Sequence, residues 1–259
     1  MNVTFLGTGG GRFVTSQQLR ATGGFVLELD RERLHIDPGP GALMRAKQYG
    51  VRLSTLTGVL VSHSHTDHCT DAAPVIEAMT KGTVRKRGVL LGSVTVFDGS
   101  PDGEFRPAVS AFHIQCVEKA VKMKAGDTAT VGKLAVTATP TSHTEPRAIG
   151  FLIEGSSRVG YTSDTEYFPE LGKVFAGCDL LIINCQQPRS RTFPKYMNTS
   201  GAGRLIAAAR PKQVLLQHFG HFMLAAGPEK EAAWLEKKTG MNIMVAQDGR
   251  RYEFPPKKK

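Results

Sequence analysis

The sequence predicts an α/β fold, with two mixed β-sheets packed face to face and helices on the outside. Three observations carry that expectation. Short β-branched and apolar runs recur along the whole chain, each bounded by Gly, Pro or Asp. Helical spacing appears between these runs rather than in one block, which favours layered sheets and helices. Polar residues gather just past the apolar runs, where loops from separate strands can converge on one rim.

Taken in order, residues 3–6, 24–29, 33–36 and 58–61 read as strands of one early sheet. Residues 71–79 carry Ala73, Val75, Ile76, Ala78 and Met79 at helical spacing. Strand-like stretches follow at 88–91, 94–97, 112–117 and 133–139, then at 150–153, 158–162, 180–183 and 213–216. A helix is expected over 201–209, with Asn198, Thr199 or Ser200 placed to cap it, and another over 228–238. A last strand pair falls near 242–245 and 251–254. No repeat, linker or low-complexity segment divides the chain. Residues 1–259 are therefore expected to form one domain, with 255–259 as a solvated basic tail.

At 259 residues, 41% of them hydrophobic, the chain is long and apolar enough to bury a proper core. No apolar run reaches the roughly 18–20 residues that span a bilayer, and the first residues lack the pattern of a signal peptide. No membrane association is expected. The four cysteines, Cys69, Cys116, Cys178 and Cys185, are too widely spaced for a disulfide framework. Reduced thiols and a cytoplasmic location follow as expectations. Cys69 reads as a small buried side chain supporting a loop. The net charge of +10 favours encounter with polyanions such as nucleic acid or phosphorylated small molecules, without choosing between them.

The chemistry concentrates in residues 61–71, VSHSHTDHCTD. His63, His65, Asp67 and His68 fall on one short loop just past an apolar strand, and imidazole with carboxylate suits zinc, manganese or ferrous iron. His63 and His65, two apart, can point to one side of an extended segment. Asp67 and His68 turn toward a neighbouring position. Downstream, His143, Asp164 and His218 each sit just beyond a predicted strand end, so separate loops can bring them to the same rim. His35 and His113 lie inside apolar runs and read as structural. The glycine run 7–11 has no Lys-Ser or Lys-Thr after it and reads as a tight turn beneath the metal site.

The ordered set HxHxDH, then His, Asp and His, behind an N-terminal Leu-Gly-Thr-Gly turn, resembles the metallo-β-lactamase superfamily. Ile36-Asp37-Pro38-Gly39, Tyr161-Thr162-Ser163-Asp164-Thr165 and Asp248-Gly249 share the resemblance, which spans nearly the whole chain. Within the superfamily it is most similar to the branch of ribonuclease Z and the cyclic phosphodiesterase of phosphonate breakdown. The resemblance implies an αββα sandwich and two divalent metal ions, zinc by default and manganese compatible. One ion would be held by His63, His65 and His143, the other by Asp67, His68 and His218, with Asp164 bridging. Such a pair makes a hydroxide near neutral pH and stabilises charge on phosphorus. The implied activity is phosphodiester hydrolysis of RNA, DNA or a cyclic or short phosphodiester, with a homodimer compatible.

Two departures qualify it. The branch carries a proton-donating histidine before the penultimate helix, and here that position holds Asn198, which caps or hydrogen-bonds but is no general acid near pH 7. His221 could substitute, so Asp67, His221 and Asn198 stand as the catalytic candidates. The long Gly- and Pro-rich arm of ribonuclease Z is also absent, with only modest loops such as 99–106. Arg189, Arg191 and Lys195, with the amides at Thr199 and Ser200, are the substrate-binding candidates, while Arg85, Lys86 and Arg87 read as a solvated turn. Two other readings stay open: hydrolysis of a thioester, lactone or β-lactam at the same metals, and a non-catalytic nucleic-acid-binding metal protein.

Overall fold

The computed structural model of the chain describes residues 1–255. Apart from Pro255, the expected tail lies outside the described residues. Fourteen strands form two seven-stranded sheets. The first comprises β1 (Asn2–Phe5), β2 (Phe25–Leu29), β3 (Glu32–Ile36), β4 (Gly58–Val61), β5 (Val89–Ser93) and β6 (Lys119–Met123), with the late strand β14 (Arg251–Glu253) on its edge. The second comprises β7 (Thr128–Val131), β8 (Leu134–Pro140), β9 (Ile149–Glu154), β10 (Arg158–Tyr161), β11 (Leu180–Asn184), β12 (Val214–Gln217) and β13 (Ile243–Val245).

Both sheets change character midway. Strands β14, β1, β2 and β3 are antiparallel, then β3 to β6 run parallel. Strands β7 to β10 are antiparallel, then β10 to β13 run parallel. The parallel strands β4 and β11 are buried at every residue, because crossover helices cover their outer faces, and their sequences are accordingly unbroken apolar runs. Phe5, Phe25, Leu60, Phe151, Tyr161 and Ile182 fill the layer between the sheets. Two further clusters bind helices to the outer faces, one around Val75, Ile76 and Val96, the other around Leu205, Ile206 and Leu235.

The expected strands at 94–97 and 112–117 are helices, Val94–Asp98 and Ala111–Cys116. Runs this short are apolar in either period. Val96 and Phe97 pack into the outer helical layer instead of extending β5, and Ser110 caps the second helix by accepting from the His113 amide. The last strands do not pair with each other: β13 joins β12 and β14 joins β1, in different sheets. Between them Asp248 accepts from Thr8 N, Thr8 Oγ1 and Ala21 N at 2.7–2.8 Å, which fastens the crossing chain to the glycine turn. Among the described residues no helix is long and apolar enough to cross a membrane, and all four cysteines are free.

Candidate metal centre

Each chemically interesting side chain emerges where a strand stops. The chain leaves β4 at Val61, stays extended through His63, and His65 then starts the short helix Thr66–Cys69 that carries Asp67 and His68. His143 follows β8, Asp164 follows β10 and His218 follows β12. Asp37, Ser163 and His218 adopt left-handed backbone (φ 51, 53 and 60°), which turns the chain sharply at the rim. Non-glycine residues hold that conformation only where their surroundings over-determine it.

Seven side chains converge there. His63, His65 and His143 form one group, Asp67, His68 and His218 another, and His63, His68 and Asp164 a third that overlaps both, the ligand atoms within each lying inside 4.8 Å. His65 Nδ1 lies 2.9 Å from His63 Nε2 and 3.0 Å from His143 Nε2. His218 Nε2 lies 3.0 Å from His68 Nε2 and 3.3 Å from Asp67 Oδ2. Asp164 reaches both triads, with one oxygen 3.6 Å from His68 Nε2 and 3.9 Å from His143 Nε2, and the other 3.3 Å from His218 Nδ1. That last contact lacks hydrogen-bond geometry and leaves His218 Nδ1 buried without a partner.

Proton counting shows why this cluster suits cations. The Ser62 hydroxyl donates to Asp37, so it accepts from His63 Nδ1–H and leaves a lone pair on His63 Nε2. His143 Nδ1–H donates to the Lys195 carbonyl, leaving a lone pair on His143 Nε2. Both lone pairs face His65 Nδ1, which can donate to only one of them. A cation in the middle satisfies all three, and zinc–nitrogen bonds of about 2.0–2.1 Å put tetrahedral ligand atoms about 3.3 Å apart. The residues fit a divalent metal.

The electrostatics point the same way. Burial keeps His63 and His143 below the ordinary imidazole range and pushes His65 down to about 4, so these three imidazoles are neutral at pH 7, the form that can donate a lone pair. Burial also opposes charge on His68, yet Asp164, Asp67 and Asp37 together hold its pKa well above that range. Burial likewise works against charge on Asp67 and Asp164, but the imidazoles around them keep both well below the usual carboxylate range. The metal-free cluster thus retains a proton that an incoming cation displaces. Burial raises the Cys69 thiol to about 12, so it is no thiolate ligand.

Supporting residues surround the cluster, and several escaped the sequence reading. Asp37 accepts from Ser62 N, Ser62 Oγ, His68 Nδ1 and Tyr161 Oη at 2.6–2.9 Å. Asn184 Nδ2 donates to Asp164 at 2.7 Å, and the Gly11 amide donates to Asp67 at 2.7 Å. Asp37 carries the same signal that marked Asp164, a carboxylate just past a strand. The glycine turn does lie against the site: a Cβ on Gly10 would come within 2.2 Å of the His218 ring. A cavity of about 460 Å³ opens beside the cluster, lined by His65, Asp67 and Asp164 together with Arg12, Arg106 and Tyr196. The loop noted only for its modest size supplies Glu104 to Arg106, with Phe105 5.3 Å from the His65 ring.

The other predicted residues stand elsewhere, and none of them lines that cavity. Asn198 caps the helix Thr199–Ala209, accepting from Gly201 N at 2.8 Å, and Thr199 is buried behind it. Ser200 borders a separate pocket with Asn198 and Arg189. Arg189 pairs with Glu231 at 3.5 Å and lies over Trp234, Arg191 lies over Phe222, and Lys195 Nζ contacts Ser142 and Glu166. Their charges are taken up locally, which draws them away from the histidine cluster. Lys195 contributes its carbonyl instead. His221 begins the helix His221–Ala226 and packs on Phe13 at 4.5 Å in a neighbouring cleft. His35 is buried against the Gly23 carbonyl, and His113 bonds Glu77 and Ser110. Arg87 is less free than a solvated turn implies, because it donates to the carbonyls of Ser54 and Leu56.

Comparison with known proteins agrees with this architecture. The family model described as "Beta-lactamase superfamily domain" matches residues 32–219. The uncharacterized protein MJ1374 of Methanocaldococcus jannaschii is 35% identical over 257 residues, covering 98% of this chain and 95% of its own. The probable metallo-hydrolase YhfI of Bacillus subtilis is 28% identical over 96% of this chain and 98% of its own. Its crystal structure superposes with a TM-score of 0.78 at 24% identity, covering 97% of this chain and 98% of that one. Human tRNase Z, short form, gives 0.71 at 16% identity (98% and 100% covered), and a diphosphatase from the PhnP family 0.70 at 18% (98% of each). With a matching family model, a one-third-identical relative and the two-sheet frame around the histidine cluster, the chain belongs to the metallo-β-lactamase superfamily.

Proposed function

We propose that this protein is a binuclear metal-dependent phosphodiesterase. The observation that carries the reading is the juxtaposition of two overlapping ligand triads with a cavity whose cations are unspent. Arg12 and Arg106 line that cavity, and neither forms an ion pair among the described residues. Guanidinium groups free to bind match the phosphate of a phosphodiester, whereas an uncharged thioester or lactone gives them nothing to neutralise. The fold shared with a tRNase Z and with a diphosphatase from the PhnP family lends support.

His63, His65 and His143 would hold one ion, Asp67, His68 and His218 the other, and Asp164 would bridge. A divalent pair supplies Lewis acidity and brings the pKa of water toward neutrality. The rest falls to the chain. Ser62, Asp37 and the Lys195 carbonyl fix which imidazole nitrogen faces inward, and Gly11 and Asn184 orient the two carboxylates. Arg12 and Arg106 would draw the phosphate against them and offset its charge as it builds. Zinc is the favoured ion and manganese fits the same donors. RNA is one candidate substrate.

The test is hydrolysis of bis-p-nitrophenyl phosphate by the purified protein with zinc or manganese. Turnover should vanish in His65→Ala and in Asp164→Ala. Turnover that survives both substitutions overturns the proposal.

A further inference from the structure

Beside the metal cavity lies a second cleft of about 470 Å³, within the range of small-ligand pockets, about 300–1,000 Å³. The two share a wall formed by Gly11, Arg12, Gln186 and Tyr196. Aromatic rings line the second cleft in a chain. Phe13 stands 4.5 Å from His221, His221 5.3 Å from Phe222, and Phe222 6.2 Å from Phe193, nearly parallel to it. Phe13 is 55% exposed and Phe193 42% exposed, although both are large and apolar. Arg191 lies 3.7 Å over the Phe222 ring and helps to fix that ring in place. Gln187 also lines the cleft, and its buried Oε1 has no hydrogen-bond partner.

We infer that this cleft is a base-binding subsite, so that the phosphodiester taken by the metal centre is that of a nucleoside. Two features of the cleft converge on that class of ligand. Exposed π faces stack on a flat heteroaromatic ring regardless of its identity. Arg12, on the shared wall and without an ion pair among the described residues, sits where a phosphate joined to that ring would pass from cleft to cavity. A base-free phosphodiester would engage Arg12 but leave four rings wet. The inference rests on the phosphodiesterase reading for the chemistry but on the cleft alone for recognition.

Binding tests it without turnover. Calorimetry with adenosine 5′-monophosphate and with ribose 5-phosphate isolates the base, since both carry the same sugar and phosphate. Stacking on aromatic side chains predicts a preference for the nucleotide of about 5- to 150-fold. Phe13→Ala combined with Phe193→Ala should reduce that preference to within about twofold, and the exposure of both rings keeps the variant folded. Phe13→Trp should retain it. Equal affinities in the wild-type protein, or an undiminished preference in the double variant, overturn the subsite. The dinucleotide ApA separates the sources: tighter binding than the mononucleotide assigns an oligonucleotide end, equal binding a free nucleotide, and both uphold it. Loss of phosphodiester turnover alone would defeat the proposed function and leave base-selective binding standing.

Discussion

Asp37 Oδ2 lies 2.9 Å from His68 Nδ1, and through that contact a residue outside the metal cluster decides which nitrogen of His68 faces it. The same carboxylate accepts from Ser62 and Tyr161, so it holds three parts of the rim in one register. Asp37→Asn should weaken metal affinity about 10- to 100-fold, the usual cost of losing a carboxylate behind a ligand histidine. Asparagine tolerates the left-handed backbone at this position, so the chain should still fold. Competition with a chelator measures the effect, and unchanged affinity would show that His68 needs no such partner.

Gly10 makes a sharper case. Its Cβ would fall within 2.2 Å of the His218 ring, a buried side chain with no room to retreat. Gly10→Ala should displace that imidazole and cut turnover on the order of 100-fold, as a displacement of about an ångström does in a positioned site. Metal analysis should show loss from the Asp67, His68 and His218 group first.

Asn198 separates two roles by magnitude. As the cap of the helix Thr199–Ala209, its replacement by Ala should cost about 1 kcal/mol in denaturant unfolding, and Asn198→Asp should recover it. A fall in kcat much beyond the small change expected from helix fraying would instead place Asn198 in the chemistry.

His35 predicts a pH dependence. Burial depresses its pKa from 6.5 to about 4, against the opposing pull of the Gly23 carbonyl and the Asp37 carboxylate. The unfolded chain takes up the proton near pH 6.5 and the folded chain not until about pH 4. Stability from this group is therefore complete above pH 6.5 and falls by about 3 kcal/mol as the pH drops toward 4. In urea titrations at pH 7 and pH 4.5, His35→Gln should flatten that part of the slope. An unaltered slope would assign the acid sensitivity to other groups.

The frame and the convergence of the histidines and aspartates on one rim were both legible in the sequence for one reason. Buried strands write unbroken apolar runs, and a polar residue just past such a run, as with His143, Asp164 and His218, has a rim as its only destination. Segments 94–97 and 112–117 misled because four to six residues hold less than two helical turns, and burial against neighbours, not propensity, decided their form. The cations that line the cavity were obscured for a different cause. Arg189, Arg191 and Lys195 are close to Asn198 in sequence, but sequence does not reveal that Glu231, Trp234, Phe222 and Glu166 would claim their charges. Arg12 was hidden the opposite way. It opens the helix Arg12–Gln17 just after a glycine run read only as backbone support, yet it borders both the cavity beside the histidine cluster and the aromatic cleft.

The most direct test of the account is a metal titration of the metal-free protein, followed by bis-p-nitrophenyl phosphate hydrolysis. Turnover should be absent at the start, rise with added zinc or manganese, and level off at two equivalents per chain, while Asp164→Ala stays inactive throughout. Turnover by the metal-free chain, or a wild-type plateau in Asp164→Ala, would contradict it.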